Sequence, residues 1–259
     1  MTVGSRANPA KSRMVAGLLA VCVAAGGCSG GPAAPGPQAV AGGSGAAGVS
    51  TAPSASAAAA GSGGTTAASQ APKDGIEPLP ADLRKVMTGV SWRPGCPVGL
   101  DDLRLVHVSF VDFDGVVRPG QLVVHRAIAE ATLRVFQRLR AARFPIRSMD
   151  LIERYDGSDD ASMAADNTSG FNCRNVPGTS HWSNHAYGRA IDVNTVENPY
   201  LPGGQVMPPA GRSYLDRRDV RPGMIIAGDA TVKAFAAEGF AWGGAWKSGT
   251  DYQHFEKTA

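Results

Sequence analysis

Residues 103–125, "LRLVHVSFVDFDGVVRPGQLVVH", contain a strong indication of secondary structure. It contains two runs rich in β-branched and aromatic residues, one on each side of the pair Asp114-Gly115. An Asp-Gly pair between such runs indicates a β-hairpin, because glycine readily adopts the backbone conformations of tight turns. The sequence therefore predicts two antiparallel strands joined near Asp114.

The next residues, 126–143, change to helical periodicity, with apolar side chains at steps of three and four residues. This pattern predicts an amphipathic helix that ends near Phe144-Pro145. Further elements are predicted along the rest of the chain: a strand over 146–155, a short helix near 160–165, short strands at "AIDVN" (190–194) and "DYQHFE" (251–256), and a helix over 229–238.

Strands and helices are therefore mixed without regular βαβ alternation, which predicts an α+β fold with a largely antiparallel sheet. We expect one folded domain over residues 76–259. The sequence beyond residue 28 has no run of 18 apolar residues, so no membrane-spanning helix is expected there.

Residues 1–28 have the features of a secretory signal peptide. Three basic residues and no acid precede the apolar run "MVAGLLAVCVAA" at 14–25. The run leads into "AGGC", which resembles a bacterial lipoprotein signal whose cysteine, here Cys28, is lipidated and becomes the new N-terminus. We expect a protein held by a lipid at the outer face of the bacterial membrane. The alternative is an ordinary cleaved signal peptide and a secreted protein.

Residues 29–75 are predicted to form a disordered tether. Over 29–72, 40 of 44 residues are Gly, Ala, Ser, Pro or Thr, and none is charged or aromatic. Such a segment buries too little apolar surface to offset the entropy lost on ordering.

The charge balance argues against nucleic acid as a partner. Three of the 25 basic residues lie in residues 1–13, so the rest of the chain carries 22 basic residues against 22 acidic ones. A balanced charge without a basic run lacks the electrostatic footprint of nucleic-acid binding. The oligomeric state stays open.

Cys96 and Cys173 are the cysteines left once the signal region, with Cys22 and Cys28, is set aside. Outside the cytoplasm such a pair is predicted to form a disulfide. Zinc ligation is the alternative, although no CxxC spacing is present.

The stretch "SNHAYGRAID", residues 183–192, places His185 and Asp192 seven residues apart. Together with His254 they offer two imidazoles and a carboxylate, which suit zinc and leave a fourth position open, as in catalytic zinc sites. A helical pair of His181 and His185 is the alternative, but its surroundings are rich in loop formers and lack the central glutamate of HExxH.

Asp251 precedes His254 by three residues in "DYQH". A carboxylate over the same metal can take a proton from the attacking water and pass it to a leaving amine. The alternative is a loop aspartate that caps a turn.

These two motifs, in this order, resemble those of the zinc D-Ala-D-Ala carboxypeptidases of VanY type and their L-alanyl-D-glutamate endopeptidase relatives. The resemblance extends through "DDASMAADNTSGFNCR" (159–174) and "WGGAW" (242–246). It implies a compact α+β domain like the amino-terminal signalling domain of hedgehog proteins. The site residues that it implies are zinc ligands at His185, Asp192 and His254, a general base and acid at Asp251, and a substrate-pocket residue at Ser183.

The oxyanion-stabilising arginine of these relatives often comes from an SGYR-like turn, where this chain reads "ERYDGS" (153–158). We assign the role to Arg174, which a disulfide at Cys173 would hold in place. Arg154 is the alternative.

The resemblance implies a zinc peptidase that acts on peptidoglycan stem peptides, with removal of terminal D-Ala as the favoured reaction. Cleavage between L-Ala and D-Glu, or of a cross-link, is the near alternative. A non-catalytic, zinc-containing wall-binding module is the alternative from another class.

Overall fold

The computed structural model describes residues 73–258. The predicted signal peptide, Cys28 and most of the predicted tether lie outside the described residues. Asp74 already belongs to the folded part, because its carboxylate accepts a hydrogen bond from the backbone N–H of Ser109 (2.7 Å) and pairs with Arg140 (3.0 Å). Folded structure therefore begins slightly before residue 76.

The predicted hairpin is confirmed and forms most of the first sheet. The strands are β1 (Gly75–Pro78), β2 (Leu103–Val111) and β3 (Val117–His125), antiparallel in the order β1-β2-β3. At the turn, Asp112 Oδ1 accepts a hydrogen bond from the backbone N–H of Val116 (2.8 Å), and Gly115 has a φ of 77°. β1 was not predicted.

The helices are α1 (Ala81–Met87), α2 (Ala129–Ala141), α3 (Asp159–Ala164) and α4 (Ala230–Ala237). The last three are the predicted helices, and α1 is the one that periodicity did not indicate. α2 buries Val135, Phe136 and Leu139. Phe136 meets Phe235 of α4 edge to face, with ring centroids 6.1 Å apart, so the two helices pack against each other.

A second antiparallel sheet consists of β4 (Ala190–Asp192), β5 (Ala241–Trp242) and β6 (His254–Glu256) in the order β4-β6-β5. The α+β class and the antiparallel pairing are therefore confirmed, but residues 73–258 contain two three-stranded sheets instead of one. The register of the second sheet places Asp192 directly opposite His254. Within this part of the chain, no helix has the length and apolar character of a membrane span.

One hydrophobic core joins the hairpin, α2, α4 and the second sheet. Ile191 of β4 and Phe255 of β6 are fully buried in it. The Phe255 ring stacks on Phe235 with centroids 3.7 Å apart. Because Ile191 and Phe255 are the chain neighbours of Asp192 and His254, the core anchors the two strands that carry those side chains.

The prediction of a strand over residues 146–155 is wrong. Residues Ile152–Tyr155 form a 3-10 helix, and the preceding residues make only isolated bridges, such as Ser148 with Asn167. The Asn167 side chain explains the difference, because its Oδ1 accepts from the N–H of Asp150 (2.9 Å) and its Nδ2 donates to the carbonyl of the same residue (3.0 Å). A side-chain amide thus takes the place of a neighbouring strand.

Cys96 and Cys173 form the predicted disulfide, with Cα atoms 6.0 Å apart and a sequence separation of 77. Cys173 belongs to a second, smaller apolar cluster with Leu103 and Phe171, and Cys96 packs against it. The bridge therefore ties the segment before Arg174 to the loop that follows α1.

We expect the double variant Cys96→Ala/Cys173→Ala to lower the free energy of unfolding by about 2–5 kcal/mol, because the long closed loop restricts the unfolded chain. Urea titration of both proteins with tryptophan fluorescence measures the difference. Wild-type protein treated with a reductant serves as a matched control and should unfold at the same urea concentration as the variant. An unchanged midpoint in both would contradict a stabilising role of the bridge.

Candidate metal centre

His185 lies on a 3-10 helix, Asn184–Tyr187, whose two ends explain much of the "SNHAYG" motif. At its start, the hydroxyl of Ser183 accepts a hydrogen bond from the backbone N–H of His185 (3.3 Å). At its end, Gly188 adopts a φ of 64°, and a Cβ there would come within 2.7 Å of the backbone N of His125. Serine and glycine are thus required locally to present His185.

Asp192 is held from both sides at the end of β4. Its backbone N–H and carbonyl each bond to Ser169, both at 3.0 Å, while β6 lies on the other side with His254 directly opposite. The Asp192 side chain therefore has little freedom to move relative to that of His254.

The three predicted ligands come together as one buried cluster. His185 Nε2 lies 3.1 Å from Asp192 Oδ2, His254 Nδ1 lies 3.0 Å from Asp192 Oδ1, and the two ring nitrogens are 3.3 Å apart. Tetrahedral zinc with bonds of about 2.0–2.1 Å separates its ligand atoms by roughly 3.3 Å. The spacing of these atoms therefore fits a metal ion of that size.

The outer nitrogen of each histidine already has an acceptor. His185 Nδ1 donates to the carbonyl oxygen of Gly170 (2.7 Å), which can only accept, and His254 Nε2 donates to the Glu256 carboxylate (3.1 Å). Asn184 Nδ2 donates to the same carboxylate oxygen (2.6 Å) and holds it in place. In the neutral rings, which are the forms that can bind a metal, these contacts leave the lone pairs on His185 Nε2 and His254 Nδ1, the nitrogens that face Asp192.

The electrostatics of the cluster favour a positive charge at its centre. Burial raises the pKa of Asp192, but the two histidines more than offset this and hold it well below its usual range. Burial lowers the pKa of His254, yet hydrogen bonds to Asp192 and Glu256 raise it to about 10. A buried carboxylate between two imidazoles is therefore suited to hold a cation.

We expect Glu256→Gln to weaken zinc binding about 10–100-fold, because outer partners of metal-bound histidines contribute on that scale. Competition with a chromophoric chelator measures the Kd. Glu77→Gln is the matched control, since Glu77 pairs with His107 (2.8 Å) on the first sheet, away from the cluster. Equal zinc affinity in the two variants would contradict the role given to Glu256.

Asp251 lies beside the cluster and lines the same cavity as the three ligands. Its backbone N–H donates to the carbonyl of Gly243 (3.1 Å). A side chain at position 243 would bring its Cβ within 2.8 Å of the Asp251 carbonyl oxygen, so this close approach requires a glycine. Its Oδ1 is buried and has no hydrogen-bond partner among residues 73–258. Burial, with a further contribution from Asp192, raises the pKa of Asp251 to about 7. This carboxyl group can therefore exchange a proton near neutral pH.

Arg174 reaches the same cavity, where its Nη2 pairs with Asp159 Oδ2 at 2.7 Å. Its Nε is buried and has no acceptor within the described part of the chain. Asp159, at the start of α3, did not stand out in the sequence. Arg154, the alternative, has a side chain that is 70% exposed, pairs with Asp150 (3.6 Å) and does not line the cavity.

The cavity itself measures about 220 Å³. Trp246 lines it and is 38% exposed, and the centroid of its ring lies 5.3 Å from that of the His254 ring. Tyr200 forms another part of the wall. Trp242, in contrast, packs against Phe255 with ring centroids 6.4 Å apart. The opening therefore gives a ligand access to an aromatic surface beside the His–Asp–His cluster.

The remaining histidines do not join the cluster. His181 is exposed and precedes the helix that carries His185, so the two do not share a helical face. His107 pairs with Glu77, and the ring of His125 accepts from the backbone N–H of Ala127 (3.1 Å). No other group of three such side chains among residues 73–258 has the spacing to hold a metal ion.

Comparison with known families confirms the resemblance over residues 177–257, which match a family model described as D-alanyl-D-alanine carboxypeptidase, and the stretch 159–174 lies outside this match. The match includes both motifs with the three clustered side chains and Asp251, and it supports a hydrolase of the peptidase kind. Arg174 and Asp159 lie outside the matched residues. No curated protein and no solved structure gives a significant match.

Proposed function

We propose that the protein is a zinc-dependent peptidase that hydrolyses peptidoglycan stem peptides, with removal of terminal D-Ala as the main reaction. One observation carries the proposal: a buried His–Asp–His cluster with metal spacing opens into the cavity that Asp251 also lines. The family match over residues 177–257 supports the substrate class.

His185, Asp192 and His254 would hold the zinc ion. When bound there, zinc supplies Lewis-acid polarisation of a carbonyl group and makes a water molecule acidic enough to ionise near neutral pH. Three protein ligands leave a position open, which is the property that separates catalytic from structural zinc sites.

Asp251 acts as the proton carrier of the reaction. In its ionised form it takes a proton from the water that attacks the scissile carbonyl carbon, and it then gives that proton to the amine nitrogen as the C–N bond breaks. Its pKa of about 7 suits both tasks, because the group can accept and release a proton at similar cost.

Arg174 stabilises the negative charge that develops on the carbonyl oxygen. Its guanidinium keeps a buried N–H without an acceptor, and the Asp159 carboxylate orients it at 2.7 Å. A donor that is already positioned costs no reorganisation when the oxyanion forms. Ser183 caps the helix that presents His185 and also lines the cavity, where we keep it as a candidate for contact with the substrate.

We place the enzyme outside the cytoplasm, anchored to the membrane through a lipid on Cys28. The Cys96–Cys173 disulfide supports this location, since such bonds persist in oxidising compartments. Radiolabelled palmitate incorporated by the natural host tests the anchor, with Cys28→Ala as the negative control.

The preferred bond is tested with a matched pair of pentapeptide substrates, one with a free terminal carboxylate and one amidated there. A carboxypeptidase removes the last D-Ala only from the free form, because recognition of the chain end is part of its specificity. Equal hydrolysis of both forms at the bond between L-Ala and D-Glu would overturn the carboxypeptidase assignment in favour of an endopeptidase.

A further inference from the structure

Tyr200 contributes a hydroxyl group to the cavity beside the His–Asp–His cluster. The residue is half-buried and lines this cavity together with Asp251. Its hydroxyl has no hydrogen-bond partner within residues 73–258, whereas that of Tyr214 donates to Glu197 (3.3 Å). A phenol can both donate and accept a hydrogen bond. The hydroxyl of Tyr200 is therefore available to a ligand that enters the cavity.

The backbone holds Tyr200 in a fixed position relative to Asp251. Backbone hydrogen bonds of 2.8 and 3.3 Å join the segments 199–201 and 250–252, and Tyr200 lies directly opposite Asp251 in this antiparallel pairing. On its other side, Tyr200 exchanges backbone hydrogen bonds of 2.8 and 2.9 Å with Met207. Directly opposite residues carry their side chains on one face, with Cβ atoms about 4.5–5.5 Å apart. The side chains of Tyr200 and Asp251 therefore leave the backbone on the same face.

The charges that act on the Tyr200 hydroxyl are those of two proposed catalytic residues. Burial raises the pKa of Tyr200, the negative charge of Asp251 raises it further, and the positive charge of Arg174 offsets only part of this shift. The hydroxyl therefore keeps its proton at neutral pH and can donate a hydrogen bond. Since Asp251 serves the leaving amine and Arg174 the carbonyl oxygen in the proposed reaction, a group on which both charges act lies near the reacting atoms.

The carbonyl oxygen of a substrate has the capacity for a second donor beside Arg174. The guanidinium of Arg174 uses one Nη2 contact on Asp159 (2.7 Å), and its buried Nε–H has no acceptor within the described part of the chain. A carbonyl oxygen has two lone pairs, so one of them stays open when the arginine has bound the other. A neutral donor completes the site without adding another charge to it.

We infer that the Tyr200 hydroxyl donates a hydrogen bond to the carbonyl oxygen of the scissile bond and stabilises the negative charge that develops there. Tyr200 keeps its proton throughout, so Asp251 remains the proton carrier. A donor held by the backbone on both sides is already in place when the charge forms, which is the condition for effective oxyanion stabilisation. The inference rests on the proposed function, because it adds a catalytic residue to that reaction.

We expect Tyr200→Phe to lower kcat about 10²-fold with KM little changed, because this hydrogen bond is stronger in the transition state than in the ground state. A phosphinate analogue of the scissile bond carries an anionic oxygen at the same position and is not cleaved. Its Kd for the zinc-loaded full chain, measured by isothermal titration calorimetry, should rise by a similar factor. The free energy of unfolding should not change, since the hydroxyl has no partner within residues 73–258.

Tyr155→Phe is the matched control, because the Tyr155 hydroxyl bonds with Ser148 and Asp150 and does not line the cavity. This variant should keep the wild-type kcat and phosphinate Kd. Wild-type values of both in Tyr200→Phe, or a raised KM with unchanged kcat, would overturn the inference. Absence of hydrolysis by the zinc-loaded wild type would refute the proposed function, while the phosphinate Kd values still decide whether Tyr200 binds this oxygen.

Discussion

Replacement of Asp251 by asparagine is expected to reduce peptide hydrolysis by about 10²–10⁴-fold, the usual contribution of a general acid–base group. The amide has the same shape but cannot take a proton from water or return it to the leaving amine. Because Asp251 lies outside the His–Asp–His cluster, we expect zinc to stay bound with its affinity little changed.

Steady-state hydrolysis and zinc content, measured on the same preparation, separate these two effects. Asp219→Asn is the control, because that side chain is 74% exposed and lies on the surface near Arg221. Wild-type turnover in Asp251→Asn would remove this carboxyl group from the mechanism. Loss of zinc along with activity would instead place Asp251 among the ligands.

Replacement of His254 by alanine should remove both zinc and activity. The variant loses one of three ligand atoms and leaves the buried Asp192 with a single imidazole partner, His185 at 3.1 Å. A buried carboxylate that loses one of its two partners is destabilised, so we also expect a lower free energy of unfolding. The loss of zinc affinity should exceed the roughly 10–100-fold effect of an outer partner such as Glu256.

Metal content after dialysis, measured by inductively coupled plasma mass spectrometry, checks this expectation. His107→Ala is the matched control, since His107 pairs with a glutamate in the same way but on the first sheet. A His254→Ala protein that retains one equivalent of zinc and full turnover would show that the catalytic metal lies elsewhere.

The parts of the fold that could be predicted from the sequence are those that local pattern determines. The hairpin over 103–125 and the helix that became Ala129–Ala141 follow from residues adjacent in the chain, namely a turn pair and an apolar periodicity. The strand predicted over 146–155 did not form, because the side chain of Asn167, 17 residues beyond Asp150, satisfies backbone groups that a strand partner would otherwise bind.

The same distinction holds within the site. Ser183 and Gly188 lie at the two ends of the helix that contains His185, so the local sequence motif was enough to predict this part of the site. Glu256 was missed although a signal was present: residues two apart on a strand share a face, so Glu256 had to lie beside His254. Asp159 begins a stretch that resembles the family, but no local pattern linked it to Arg174, because only the tertiary fold brings the two side chains together.

Zinc-dependent peptidase activity can be measured from the mass of the products that form when a pentapeptide-bearing muropeptide is incubated with the full chain. The chain is compared in three states: zinc-loaded, treated with chelator, and reloaded with zinc. The prediction is loss of one terminal alanine with zinc, no loss after chelation, and full recovery on reloading. Intact muropeptide in the presence of bound zinc, or the same product after the metal has been removed, would contradict a zinc peptidase built on His185, Asp192 and His254.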